Sequence, residues 1–276
     1  MKNPGSKTKV RSGAMMMAGG LLLLALLLGN IAKGQAVAVT TGDSVEAAAV
    51  QWDKLFAVGT GAIQEEIQGT VKWQGSWYTL LALEEAANAL SSRLGLSVVH
   101  GELMQDHTVY YAEGNARGIH TRLSVTWIEE GEYYVVLRLE GQGLEALAEM
   151  KASQSAYGES LADEGVAIHW NAALQGTVKS MDTGSAELSD GKGNANELLQ
   201  DRMQQLENVA SHALNLEIVE DYKDTDTISR TYAIPELPIS VFSGDRKVSL
   251  QMAVHSGFES GNMEVSLGSP LLTVEY

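Results

Sequence analysis

Apolar residues recur along this chain at two periods, and the switches between them divide it into elements. Between Asp43 and Ile67, residues Val45, Ala49, Trp52 and Phe56 fall on one helical stripe, with a break expected at Gly59 and Gly61. A short strand is expected at Thr70 to Gln74. Leu80, Leu83, Ala87, Leu90 and Leu94 then return at helical spacing and predict an amphipathic helix stopped by Gly95. Beyond it the period changes to two. Ile119, Thr121, Leu123, Val125 and Trp127 alternate with His120, Arg122, Ser124 and Thr126. Tyr133, Val135, Leu137 and Leu139 continue the alternation after the turn Glu129-Glu130-Gly131-Glu132. This pattern predicts a hairpin of strands with one buried face.

A second helix, strand, helix, strand series follows, and its residues align with the first. Val71-Lys72-Trp73-Gln74-Gly75 matches Ile168-His169-Trp170-Asn171-Ala172 at a spacing of 97. Asn88, Ser91, Leu94, Leu96, Val98 and Val99 match Asn208, Ser211, Leu214, Leu216, Ile218 and Val219 at a spacing of 120. The 23-residue difference falls in the Gly, Ser, Asp and Asn-rich segment 180–196, which reads as an inserted surface loop. Leu123 and Val125 likewise match Leu250 and Met252. The expected fold class is therefore α+β: two tandem helix-strand-helix-(antiparallel strands) repeats, 39–141 and 142–276, forming one curved antiparallel sheet with helices on one face.

Residues before position 39 have a different character. Lys2, Lys7, Lys9 and Arg11 precede a charge-free run of sixteen residues, Ala14 to Gly29, which is followed by Asn30, Lys33 and Ala36-Val37-Ala38. That order of basic, apolar and small residues predicts a secretory signal over 1–38. Sixteen apolar residues fall short of the ~20 that span a bilayer; read on through Ala32, the run becomes an uncleaved anchor. In both readings the acidic body lies outside the cytoplasm, secreted or held at the outer face of the cytoplasmic membrane. The sequence has no cysteine, which excludes a lipobox lipoprotein, disulfides and thiolate metal sites.

The charge of that body sets its partners. The whole chain has 19 basic and 35 acidic residues, and five of the basic ones precede Val39 while no acidic one does. A body this acidic repels phosphate backbones, so nucleic acid is not an expected partner, and membrane contact is expected only through an uncleaved N-terminal segment.

The duplicated order of strand, helix and strands resembles the TATA-box-binding-protein fold. The acidic exported body, with its ending Met263-Glu264-Val265-Ser266-Leu267-Gly268-Ser269-Pro270-Leu271-Leu272-Thr273-Val274-Glu275-Tyr276, resembles the YwmB family of spore-forming Gram-positive bacteria. This resemblance spans residues 40–276. It implies a TATA-box-binding-like fold outside the cytoplasm and brings no established activity. DNA binding does not carry over, because it needs apolar wedges and a cationic surface, whereas Phe56, Phe242 and Phe258 are the chain's three phenylalanines and its charge has the wrong sign.

Local catalytic signatures are missing: there is no G-x-S-x-G, H-E-x-x-H or phosphate-binding glycine loop. Glu65-Glu66 and Glu84-Glu85 are adjacent pairs expected on polar helix faces, where neighbours diverge by ~100° and cannot face each other. Asp224-Thr225-Asp226 lacks the glycine and distal glutamate of a calcium loop and reads as a solvated turn. His120, His169 and His255 are scattered through the chain, so neither a metal nor a cofactor is expected. One constellation remains. If the apolar residues face the helices, the other sheet face presents Lys72, Gln74, His120, Arg122, Thr126, Arg138, His169, Asn171, Lys247, Ser249, Gln251 and His255, with Glu140 the only acid among them and Tyr134 and Val136 for apolar contact. The expected function is a non-enzymatic binding module whose sheet face meets an envelope protein or a polar or anionic polymer. The alternative is an envelope enzyme whose carboxylates or histidines converge only on folding.

Overall fold

The computed structural model describes residues 44–104, 107–178, 194–256 and 263–272. The leader expected at 1–38 and most of the inserted loop expected at 180–196 lie outside the described residues. The described helices are α1 (Val45–Ala62), α2 (Leu83–Arg93), α3 (Gly143–Asp163) and α4 (Asn194–Ser211). The strands are β1 (Glu65–Tyr78), β2 (His100–Met104), β3 (His107–Ala116), β4 (Ile119–Glu129), β5 (Glu132–Gln142), β6 (His169–Val178), β7 (Glu217–Lys223), β8 (Thr227–Ala233), β9 (Val241–Ser243), β10 (Arg246–Val248), β11 (Leu250–Ser256) and β12 (Met263–Ser269).

Ten strands form one sheet in the order β2-β3-β4-β5-β1-β6-β12-β11-β8-β7, all neighbours antiparallel, and β9 and β10 pair separately. Alternation decides the two faces. Leu123, Leu137, Val71, Trp73, Leu174, Leu267, Met252 and Tyr232 point one way and are fully buried. The helices cover that side: α2 packs on β3 and β4, α3 on β1, β4 and β5, α1 on β6 and β12, and α4 on β8 and β11. Trp52, Trp73 and Trp170 are the largest side chains in this layer.

Several local expectations are corrected. The α1 helix runs through Gly59, and its buried stripe is Ala48, Gln51, Trp52, Leu55, Val58 and Gly59, leaving Ala49 and Phe56 half-buried. Gly59 serves close packing: a Cβ there would lie 2.4 Å from Leu174 Cδ1 of β6. The expected short strand is the fourteen-residue β1, whose length follows from pairing with β5 on one side and β6 on the other. Glu65 and Glu66 belong to its start, at a bulge where Glu66 has φ 51°, and not to a helix. The β4–β5 hairpin forms in the expected register. Its register shifts between Trp127 and Glu129, and Trp127, expected among the buried positions, is 50% exposed.

Buried polar side chains tie the helices to the sheet. Gln51 of α1 donates from Nε2 to Ile239 O (2.8 Å) and Ser269 Oγ (2.6 Å) and accepts from Ile239 N (2.7 Å). Gln154 of α3 takes the indole N–H of Trp73 on its main-chain oxygen (2.9 Å) and that of Trp170 on Oε1 (2.8 Å). At the far edge, Arg230 is buried under α4. It donates from Nη1 to both Glu207 oxygens (2.9 and 3.0 Å) and from Nε to Asp221 (3.0 Å). Burial pushes the Tyr232 phenol well above its usual range, and its hydrogen bond to Glu207 Oε1 (2.8 Å) adds to the shift. This ionic knot clamps α4 to β7 and β8, and its members stand on three elements that only the fold brings together.

Candidate functional site

The sheet face away from the helices is ordered in cross-strand rows. One row reads Glu113 (β3), Arg122 (β4), Arg138 (β5), Lys72 (β1) and Asn171 (β6). The next reads Asn115, His120, Glu140, Thr70 and Ala173, continuing to Gly268, Gln251 and Thr231. A third reads Tyr111, Ser124, Val136, Gln74 and His169. Most of the expected face residues therefore share one surface. Strand alternation alone brings them together, since each lies an odd number of positions from a buried apolar neighbour.

The first row places three cations side by side on adjacent strands. Directly opposed like charges destabilise a sheet, and carboxylates temper them here. Arg122 Nη1 is 3.5 Å from Glu113 Oε1, and its guanidinium lies 4.5 Å from the centre of the Tyr111 ring. Arg138 hydrogen-bonds Glu140, while its own Nε is buried with no hydrogen-bond partner among the described residues. His120 stands between the two carboxylates, with Nε2 3.8 Å from Glu113 and Nδ1 3.6 Å from Glu140. Tyr134 lies beside Thr126 and Ser76, and burial pushes its phenol up to about 12.

Several site expectations change. Lys247 is not on this face: it belongs to β10 of the two-stranded sheet, exposed, with its ammonium 5.8 Å from the Phe242 ring centre. Ser249 is buried just before β11, where it accepts from Ile234 N (3.1 Å). The β9–β10 excursion breaks the simple alternation that had placed both. Lys72 lies in the row but is 8% exposed. Glu140 is not the only acid, since Glu113 faces the same way from β3, a strand whose alternation of Val109, Tyr111 and Glu113 could have revealed it. His169 is half-buried opposite Gln74, and His255 shares a 2.9 Å hydrogen bond between Nδ1 and Thr227 Oγ1. His120, His169 and His255 stand on three different strands, and no group of three or more metal-ligating side chains occurs among the described residues.

The face is also less open in its second half. After Ser269 the chain folds back over β12: Asn171 Nδ2 donates to Leu271 O (2.9 Å), and Leu272 N donates to Gln251 Oε1 (3.1 Å). Two hollows lie elsewhere. One of about 430 Å³ is lined by Arg117, Gly118, Gln142, Glu145, Ala146 and Glu149, and one of about 100 Å³ lies between the end of α1, α4 and Val265. Asp224-Thr225-Asp226 forms a turn in which Asp224 Oδ1 accepts from Asp226 N (2.9 Å) and Thr227 N (2.7 Å); these bonds hold the carboxyl below its usual range.

No known family model matches the chain, and no curated protein sequence matches it. Among solved structures it is similar to DynU16, from the dynemicin biosynthetic locus, at 10% identity and a TM-score of 0.18, covering 71% of this chain and 86% of that one. It is also similar to the di-domain aromatase/cyclase StfQ of the steffimycin pathway, at 8% identity and a TM-score of 0.18, covering 87% of this chain and 84% of that one. Likeness at this level assigns neither a detailed fold family nor an activity.

Proposed function

We propose that the protein is an exported cell-envelope binding module that meets its partner through the sheet face, over the row Glu113, Arg122, Arg138 and Lys72. One observation carries this reading. In a chain of net charge −16, three cations stand abreast on β4, β5 and β1, the two arginines beside Glu113 and Glu140. The partner it fits is an anionic or strongly polar envelope protein or polymer, with Tyr111 and Tyr134 offering apolar contact. Nucleic acid is no part of this reading, because the body as a whole is acidic.

The same reading takes the two halves as a tandem repeat of the TATA-box-binding type, with the YwmB resemblance and the export signal that go with it. The strand order supports the repeat: outward from the centre, β1-β5-β4-β3-β2 on one side answers β6-β12-β11-β8-β7 on the other. Each half has its helix after the central strand, α2 or α4. The matched tryptophans Trp73 and Trp170 meet as direct cross-strand partners at the junction.

The test is capture from an envelope extract with residues 39–276 as bait, wild type against Arg122→Ser/Arg138→Ser. The reading expects a captured partner whose yield falls at least tenfold in the double variant and falls with added salt. Equal yield from both baits, with both folded, overturns it.

A further inference from the structure

The segment after β12 lies on the sheet face and is held there by side chains, not by strand pairing. Asn171 of β6 donates to Leu271 O from one side, and Gln251 of β11 accepts from Leu272 N on the other. Between them the floor is Gly268 of β12, where a Cβ would lie 2.4 Å from Leu272 N and 2.5 Å from Leu272 Cα. The absence of a side chain at Gly268 is what allows a main chain to lie this close. One strand beyond Gln251, Thr231 is 7% exposed, and its hydroxyl has no hydrogen-bond partner among the described residues. Asn171 and Gln251 each engage a main-chain group and read no side chain of Leu271 or Leu272.

We propose that Gly268, Asn171 and Gln251 form a seat for a polypeptide main chain, filled in cis by the Leu271–Leu272 peptide group, which an incoming peptide must displace. The amide side chains supply one donor and one acceptor to the two sides of a single peptide group, Leu271 C=O and Leu272 N–H, which any polypeptide offers whatever its sequence. Two neutral hydrogen bonds to side chains are a light hold compared with a full strand ladder, so the cis occupant can exchange. The proposal deepens the reading of the sheet face as a binding surface by naming a peptide main chain as the class of ligand at this end of it.

The test uses the exported chain, residues 39–276, and a fluorescent synthetic peptide of residues 269–276 as probe, read by anisotropy. Leu272→Pro removes the N–H that Gln251 accepts and leaves the seat intact; this variant should bind the probe at least tenfold more tightly than wild type. Gly268→Ala added to Leu272→Pro fills the floor and should abolish that binding. Asn171→Ala, placed in the same background, should weaken it even if the alanine at 268 disturbs folding. Equal affinity of wild type and Leu272→Pro, or unchanged affinity on adding Gly268→Ala or Asn171→Ala, overturns the proposal. Arg122→Ser/Arg138→Ser should leave probe binding unchanged, so failure of the seat is distinguishable from failure of the cationic row.

Discussion

Arg122 of β4 and Arg138 of β5 are direct cross-strand partners on the uncovered face of the sheet. Each has a carboxylate nearby, Glu113 for Arg122 and Glu140 for Arg138, so the two charges are formally balanced, and Lys72 is next in the row. Exposed ion pairs contribute roughly 0–1 kcal/mol, and an opposed like charge costs a similar amount. Arg122→Ser should therefore change the stability to urea by no more than about 0.5 kcal/mol. A loss above about 2 kcal/mol would make Arg122 a structural residue.

The buried side of the sheet should behave oppositely. Leu123 is 0% and Leu250 1% exposed, each an odd number of residues from a residue of the open face. Leu→Ala at either position should cost about 2 to 5 kcal/mol in urea unfolding, the transfer free energy plus the cavity left behind.

Gln154 gives a finer test. Truncation to alanine opens a cavity and removes the Oε1 that accepts the Trp170 indole N–H, so Gln154→Ala should cost about 3 kcal/mol. Gln154→Met keeps the volume and removes an Nε2 that has no partner among the described residues. The methionine variant should be clearly more stable than the alanine variant. Equal losses would show that the amide, and not the packing, holds α3 on Trp170.

Tyr134 supplies a pH signature. Burial raises its folded pKa to about 12, above the ordinary value of ~10, because the phenolate loses solvation. Its contribution to stability is therefore fully present below pH ~10 and is lost as pH rises through about 12. A spectrophotometric titration of wild type minus Tyr134→Phe should isolate one phenol ionising near pH 12; ionisation near 10 would place Tyr134 in open solvent.

Period-two and helical spacing made much of this architecture legible before any coordinates. Leu123 against Arg122 placed both faces of β4, and the matching of Trp73 with Trp170 located the two central strands. The reading slipped where tertiary packing overrides local pattern. Gly59 looked like a break because its use, admitting Leu174, depends on a strand more than a hundred residues away. Lys247 was placed on the face because β9 and β10 interrupt the alternation that leads into Leu250. Glu113 shares its alternation with Val109 and Tyr111 and is within reach of a period-two reading of β3, whereas the segment over Gly268 has no periodicity to read. Burial of Lys72 on a nominally uncovered face is likewise a property of the folded surface and not of its strand.

The central claim is that the sheet face, and not the helix layer, meets the partner. Photo-crosslinking in envelope extract tests it most directly, with a photoreactive residue replacing Ser124 on the face in one chain and the exposed Glu159 of α3 in another. The account predicts a discrete crosslinked species from position 124, reduced by Arg138→Ser, and none from position 159. Crosslinking from position 159 alone would contradict it.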